Sequence, residues 1–207
     1  YRGRHAAALE ELVERGAWMS LFMQSACGES PCGGRSAHHQ WNEAQQAVTF
    51  ESWASRFAAR GDLPAAGACK WAASRSEMSM TRWHRPSDAL WIVKNRLDPA
   101  ARHGYESYSF HSQYNLLAAA MLAIAWNRAD DGIAMAPSPA TVGGFAFSLQ
   151  PAFRKVFASV ERFSLEIDTG ADLHYNPTGL LRVHRSGLPP ETLSDGVTAA
   201  ATYQLPS

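Results

Sequence analysis

The chain has 207 residues and a balanced charge, with 19 basic and 19 acidic side chains. Its 7 Trp, 9 Phe and 6 Tyr residues supply a sizeable apolar core, which excludes a disordered chain. No Lys/Arg stripe stands out, so no nucleic-acid partner is expected. The longest apolar run, Leu116 to Trp126, is shorter than the roughly 20 residues that span a bilayer, so no membrane partner is expected either.

The chain begins with a predicted amphipathic helix over residues 5–25. Leu9 and Leu12 recur among glutamates at helical spacing, and the pattern stops at a short loop rich in Gly and Pro. Cys27 and Cys32 bracket this loop. They either close it as a small disulfide, as in an exported protein, or remain free thiols.

Two further helices are predicted to form an antiparallel hairpin. The first covers 36–60, with Ser36 as its N-cap, and it ends at Gly61. The second covers 63–77, is rich in Ala and has Pro64 in its first turn, where helices tolerate proline.

The pattern then changes to strands and back to a helix. Alternating side chains and a Pro-Ser-Asp turn predict a β-hairpin inserted near 78–95. Residues 107–128 are again predicted to be helical. Because the body of this helix is apolar almost all round, it is expected to be buried on every side.

The last third of the chain predicts an antiparallel β domain. Residues 153–167 alternate in polarity, and 180–184 continue the β signal. The predicted fold class is therefore α+β, with an incomplete α/α toroid portion over 1–136 and an incomplete β-sandwich portion over 137–207. Because a few helices and strands leave faces that need partners, the remainder of a longer polypeptide is an expected partner.

One phrase occurs twice in the sequence. The stretches "SAHHQWNEA" (36–44) and "SFHSQYNLL" (109–117) share Ser-x-His-x-Gln-aromatic-Asn, and the matching residues are 73 positions apart. If successive hairpins lie side by side, equivalent helix ends meet at one rim. The polar side chains expected at this rim are His38, His39, Asn42, His111, Tyr114 and Asn115. The spacing also predicts that His38 and Asn42, and likewise His39 and Glu43, share a helix face.

Several functions compete for these residues. The residues of the repeated phrase either form polar packing between hairpins, as in a scaffold or a glycan-binding module, or form a substrate-binding and catalytic site. A zinc site is not favoured, because adjacent His residues on a helix point about 100° apart and no metal-binding spacing occurs. A glycoside hydrolase needs two carboxylates, and only Glu43 and Glu106 meet at the predicted rim. A β-eliminating lyase needs a clamp on a uronate carboxylate, a base and an acid, which suits the Asn, His and Tyr residues present.

The architecture and motifs resemble the polysaccharide lyases of the heparinase II/III and alginate lyase type. The likeness rests on paired helices before a β domain, with "HHQWN" (38–42) in one helix and "YESYSFHSQYN" (105–115) leading into another. The resemblance implies an α/α toroid with a β-sandwich and cleavage of an acidic polysaccharide by β-elimination. Uronic-acid glycoside hydrolases share the toroid, so the fold alone does not decide the reaction.

The resemblance also implies roles for particular residues. Asn42 with His38 or His39 would clamp the uronate, Tyr108 or Tyr114 would be the proton-transferring phenol, and His111 would be its partner. The segment "MTRWHRPSDALWIVKNR" (80–96) is similar to a strand pair that approaches the cleft in such lyases. The expected catalytic residues are Tyr108, His111, Tyr114 and His39. The expected substrate-binding residues are Asn42, His38, Glu43, Arg82, His84, Trp83, Tyr105 and Asn115. No metal or cofactor is expected, the partner is an acidic polysaccharide or oligosaccharide, and the protein is expected to be secreted or periplasmic.

Overall fold

The computed structural model describes residues 3–32, 38–84, 90–102, 104–105, 109, 112–170 and 179–190. Over these residues the chain forms five α-helices and then one four-stranded antiparallel sheet, which confirms the predicted α+β class. The helices are α1 (Ala6–Met23), α2 (Trp41–Ala59), α3 (Leu63–Thr81), α4 (Gln113–Arg128) and α5 (Pro139–Val142), with one 3₁₀ turn at Pro99–Ala101. The strands are β1 (Phe145–Leu149), β2 (Phe153–Val160), β3 (Phe163–Asp168) and β4 (Gly179–Arg185).

The predicted α2–α3 hairpin is present. Asp62 caps α3, because its side chain accepts a hydrogen bond from the backbone N–H of Ala65 at 3.1 Å. Pro64 lies in the first turn of α3, as predicted. Halfway along the pair, the buried Lys70 donates to the Glu51 carboxylate at 3.0 Å, which fixes the register of the two helices.

The helical core lies between α1, α2 and α3. Large side chains of α2, among them Phe50, Trp53 and Phe57, are buried against small side chains of α3. The α3 residues of this cluster are Ala65, Ala66, Cys69, Ala72 and Ala73. Because small residues let the helix backbones approach closely, the Ala-rich composition of α3 serves packing.

The predicted start of the first helix of this hairpin is wrong. α2 begins at Trp41 rather than at 36, because His38 and Gln40 pair through their backbones with another segment. The N–H of Gln40 donates to the carbonyl of Ile92 at 2.7 Å, and the N–H of Lys94 donates to the carbonyl of His38 at 2.9 Å. The expected helix-face pairs of His38 with Asn42 and of His39 with Glu43 therefore do not form.

The beginning of the predicted β-hairpin near 78–95 is helical instead. α3 continues to Thr81, since Ser79 and Met80 are buried on the same side as earlier turns of the helix. What remains of strand pairing is two isolated antiparallel bridges, His84 with Leu90 and His39 with Val93, among the residues described here.

The burial predicted for the fourth helix is also wrong. Ala118 and Ala125 of α4 are buried, whereas Leu116 is 67% exposed and Trp126 is 83% exposed. α4 therefore packs on one side only and leaves an apolar face in solvent. The beginning of the predicted helix, 107–112, lies largely outside the described residues.

The sheet is a meander in the order β1-β2-β3-β4. Burial alternates along β2 and β3, as the sequence pattern predicts. The buried face is largely polar apart from Phe157, whereas the opposite face carries half-buried apolar residues such as Val156, Leu165 and Ile167. Phe22 of α1 packs edge-on against Phe145 of β1, with ring centroids 5.1 Å apart, so the sheet is joined to the helical region.

The described strands form a single sheet, so the β-sandwich and the toroid remain predictions, as do the domain limits at 136 and 137. Cys27, Cys32 and Cys69 are buried free thiols. No described helix has the length and apolar character needed to cross a membrane.

Candidate functional site

The helices that carry the repeated phrase lie side by side and run in the same direction. Ala44 near the start of α2 and Ala118 near the start of α4 are buried in one apolar cluster. At the other end, the hydroxyl of Ser55 donates to the carbonyl of Arg128, the last residue of α4, at 3.2 Å. The N-terminal ends of α2 and α4 therefore lie together, which agrees with the predicted rim. We call the described residues 38–42, 90–93, 104–105 and 114–115 the helix-start rim.

Aromatic side chains from three separate parts of the sequence converge at the helix-start rim. Trp41, Tyr105 and Tyr114 are partly buried and pack against the apolar cluster of Ala44, Met80, Ile92, Val93 and Ala118. Each of these three residues keeps part of its surface accessible. This arrangement gives the rim an aromatic wall, a surface on which sugar rings stack well.

His38 and Gly104 hold two chain segments together at the rim. The Nε2 atom of His38 contacts the carbonyl oxygen of Gly104. Gly104 has φ +77°, and a Cβ atom there would lie 2.9 Å from Cγ1 of Val93. Glycine is therefore required on both conformational and steric grounds, and it lets the segment carrying Tyr105 lie close to His38.

His38 is buried, and the two residues after it are enclosed as well. The ring of His39 is fully buried, with its centroid 4.4 Å from that of His38. Gln40 is also fully buried, and its Nε2 donates to the carbonyl of Trp91 at 2.5 Å. The burial of His39 does not favour the predicted direct catalytic role. Gln40 was not predicted as a site residue, although its place in the repeated phrase was the available signal.

Glu43 lies in a buried ion pair. One carboxylate oxygen, Oε1, accepts from the Nζ of Lys94 at 3.0 Å and from the N–H and hydroxyl of Ser30 at 3.0 and 2.8 Å. The residue has no exposed surface. This placement does not favour the predicted contact of Glu43 with substrate, because the carboxylate binds groups of the protein itself.

The ion pair extends through Glu29 to the sheet. The Oε2 of Glu29 lies 3.4 Å from the Nζ of Lys94 and 3.4 Å from Nη2 of Arg182 in β4. Burial alone would raise the pKa of Glu29, but the positive charges of Lys94 and Arg182 outweigh burial and lower it to about 2. Burial lowers the pKa of Lys94, but the Glu29 and Glu43 carboxylates more than offset this effect and raise it. Glu29 and Lys94 are therefore charged at neutral pH.

Charged residues of the sheet continue this cluster. Lys155 donates to Asp168 at 2.7 Å across the β2–β3 pair, and Arg182 lies 3.8 Å from Glu166 across the β3–β4 pair. Glu166 also accepts from the N–H of Cys32 at 2.8 Å. Burial raises the pKa of Glu166. We call Glu29, Glu43, Lys94, Lys155, Glu166, Asp168 and Arg182 the buried charge cluster.

His184 lies in β4 next to this cluster and is neutral. Its Nδ1 is 2.9 Å from the hydroxyl oxygen of Ser25, which accepts from the N–H groups of Cys27 and Glu29 at 3.2 Å each. With both acceptor positions used, the Ser25 hydroxyl donates to Nδ1, so the proton of the ring is on Nε2. Burial, with the nearby charge of Arg182, lowers the pKa of His184 to about 3.

The inserted segment places its predicted site residues in different environments. Arg82 is half-buried and donates to the carbonyl of Cys27 at 2.9 Å. Trp83 is buried, with the Arg96 guanidinium 5.9 Å from its ring centre, which does not favour the predicted sugar platform. His84 is exposed and remains available to a ligand.

The remaining predicted residues divide between described and undescribed positions. Asn42, Tyr114 and Asn115 are half-buried at the helix-start rim, and Asn42 also donates to the carbonyl of His39 at 2.9 Å. Tyr108 and His111 lie outside the described residues. The rim therefore brings together His38, Asn42, Tyr105, Tyr114 and Asn115. The side chains of Glu43 and Trp83 are buried and are not exposed at the rim.

Chemically, the described rim offers amide, imidazole and phenol groups beside an aromatic wall. No group of three or more His, Cys, Asp or Glu residues suited to a metal ion occurs in the part of the chain that the structure describes. Comparison with protein-family models, with curated proteins and with solved structures found no match for this chain.

Proposed function

We propose that this protein is a carbohydrate-active enzyme that cleaves a uronate-containing polysaccharide by β-elimination and that it is secreted or periplasmic. One observation carries the proposal: the two copies of the repeated phrase begin neighbouring parallel helices, so their polar residues lie at one rim beside an aromatic wall. Neutral hydrogen-bonding groups and phenols are suited to elimination at a uronate. The resemblance to heparinase II/III and alginate lyases supports the same reaction.

In the proposed reaction, Asn42 holds the uronate carboxylate and so makes the C5 proton more acidic. His38, which is buried and contacts the Gly104 carbonyl, holds the segment that carries Tyr105 in place. A phenol or imidazole takes this proton, and the electrons of the C5–H bond form the C4=C5 double bond. The bond between C4 and the leaving oxygen then breaks, and that oxygen receives a proton from an acid. Tyr114 is the described candidate for proton transfer, and Tyr108 and His111 are the candidates outside the described residues.

A glycoside hydrolase on uronic-acid glycans is less well supported. Its two carboxylates would be Glu43 and Glu106, and Glu43 is bound to Lys94 and Ser30 in the protein interior. A general acid needs a raised pKa and access to the glycosidic oxygen. Glu43 has no exposed surface, so its carboxylate does not reach a glycosidic oxygen.

A non-catalytic glycan-binding or scaffold role is the second candidate, favoured by the enclosure of His39 and Gln40. On that view the repeated phrase crosslinks chain segments, as the Gln40 to Trp91 hydrogen bond does. Substituting a rim residue would then lower the melting temperature without changing any reaction.

The deciding experiment is incubation with a panel of uronate polysaccharides, with ultraviolet absorbance and mass spectrometry of the products. Elimination gives unsaturated uronate ends that absorb in the ultraviolet. Hydrolysis adds water and gives saturated ends, which would support a glycosidase instead. Unchanged polymer that nevertheless binds the protein would support the glycan-binding role and contradict the proposed lyase.

A further inference from the structure

α4 presents an uncharged, exposed face. Leu116 is 67% exposed and Trp126 is 83% exposed, and the alanines between them on this side of the helix, Ala119, Ala120 and Ala123, are exposed as well. No charged residue occurs from Gln113 to Asn127. The small side chains make a shallow trough between two large ones, and we call these five residues the α4 trough.

The internal repeat indicates what kind of element fits the trough. Residues of α2 that lie 73 positions earlier are buried beneath neighbouring helices. The matching pairs are Ala47 with Ala120, Phe50 with Ala123 and Trp53 with Trp126. In α2 this face is covered by helices, so a helix is the natural occupant of the equivalent face of α4.

α1 carries a matching exposed ridge. Leu9, Leu12 and Val13, which are 41 to 56% exposed, lie at helical spacing on one side of the helix. A different side of α1 is already in use, because Glu10 and Glu14 pair with Arg60 at 3.0 and 2.6 Å. We call Leu9, Leu12 and Val13 the α1 ridge.

The ridge and the trough are complementary in shape and charge. The ridge consists of large apolar side chains and the middle of the trough of alanines, which is the combination that packs α2 against α3. Glu11 is exposed beside the ridge, and Arg128 is exposed just beyond the trough. In one molecule α1 packs on α2, α3 and α5, whereas α4 packs on α2, so the ridge and the trough do not cover each other within one molecule.

We propose that two copies of this chain associate with the α1 ridge of one copy in the α4 trough of the other. Reciprocal pairing about a two-fold axis covers both ridges and both troughs, which closes the assembly at a dimer. The proposal concerns a surface away from the helix-start rim and does not depend on the proposed enzyme activity.

Sedimentation velocity on the whole chain, from about 1 to about 100 μM, tests the association by mass action. We expect a dimer for the wild type, and at least about tenfold weaker association for Leu12→Glu and for Ala120→Glu, because each places a charge in an apolar contact. Leu63→Glu is the matched control, since Leu63 is 67% exposed but belongs to neither surface. Circular dichroism should stay unchanged in all three variants, and so should the melting temperature at a concentration where the wild type is monomeric.

A mixture of the two variants separates ridge-to-trough pairing from other arrangements. Leu12→Glu keeps an intact trough and Ala120→Glu keeps an intact ridge, so the mixture should associate more strongly than either variant alone. A wild type that is monomeric over the whole range would overturn the proposal. So would dimers that persist in both variants, or a mixture that associates no better than its components.

Discussion

At the scale of single residues, the most informative feature is the buried charge cluster, and Lys94 is its centre. This lysine neutralises both Glu29 and Glu43, neither of which reaches solvent. We expect Lys94→Met to lower the free energy of unfolding by about 3 to 5 kcal/mol, because two buried carboxylates lose their shared counter-charge. Urea unfolding measures the change, and Arg15→Met, at an exposed arginine, is the control for loss of a positive charge. A loss for Lys94→Met no larger than that of the control would contradict the described pairing.

His184 gives the protein an acid-sensitive stability. Its pKa is lowered in the folded state to about 3 from an ordinary value of 6.5, so the unfolded chain binds its proton first. The stabilisation is complete above about pH 6.5 and decreases as the pH falls from there toward 3, by at most about 1.4 kcal/mol per pH unit. We expect urea unfolding between pH 7 and 5 to have a shallower pH dependence in His184→Gln than in the wild type. If the free energy of unfolding changed with pH by the same amount in both proteins, His184 would not be the source of the acid sensitivity.

At the scale of the elements, the two helices that carry the repeated phrase lie side by side, but equivalent residues of the two helices differ in burial. Trp53 and Trp126 occupy equivalent positions, and the first is buried while the second is 83% exposed. We expect Trp53→Ala to cost about 3 to 5 kcal/mol of unfolding free energy and Trp126→Ala to cost less than about 0.5 kcal/mol. Denaturant titration of the monomer at low concentration compares the two substitutions. Equal costs would mean that α4 is packed in solution as fully as α2.

Element types were predictable from the sequence where periodicity was strong, and boundaries were not where tertiary pairing competed with it. The hairpin of α2 and α3 follows from apolar spacing, the Asp62 cap and Pro64. The start of α2 at Trp41 could not be predicted, because the backbone of His38 and Gln40 pairs with a segment about 55 residues later. The alternation near 78–81 fits a strand and a helix end equally well, and burial of Met80 decides for the helix.

At the scale of the whole molecule, the sheet meets the helical region through charge. The buried side chains of β2, β3 and β4 include Lys155, Glu166, Asp168 and Arg182, whereas the partly exposed face is apolar. Binary patterning normally assigns apolar residues to the inside, so it points to the wrong face of this sheet. The neighbouring opposite charges on adjacent strands were the available signal. The buried charge cluster and Gln40 were therefore missed, whereas the shared rim was anticipated from the repeated phrase.

The central claim is that the helix-start rim is where a uronate polysaccharide is cleaved. The most direct measurement uses a uronate polysaccharide that the wild type cleaves and follows the rate at which ultraviolet absorbance increases. The wild type, Asn42→Ala and the control Asn127→Ala are compared, and their melting temperatures are recorded alongside. Asn42 lies half-buried at the rim and Asn127 is exposed at the far end of α4. We expect Asn42→Ala to lose at least about 100-fold in kcat/KM while remaining folded, because the clamp on the carboxylate is lost, and Asn127→Ala to keep wild-type activity. Wild-type turnover in a folded Asn42→Ala variant would contradict the assignment of the site.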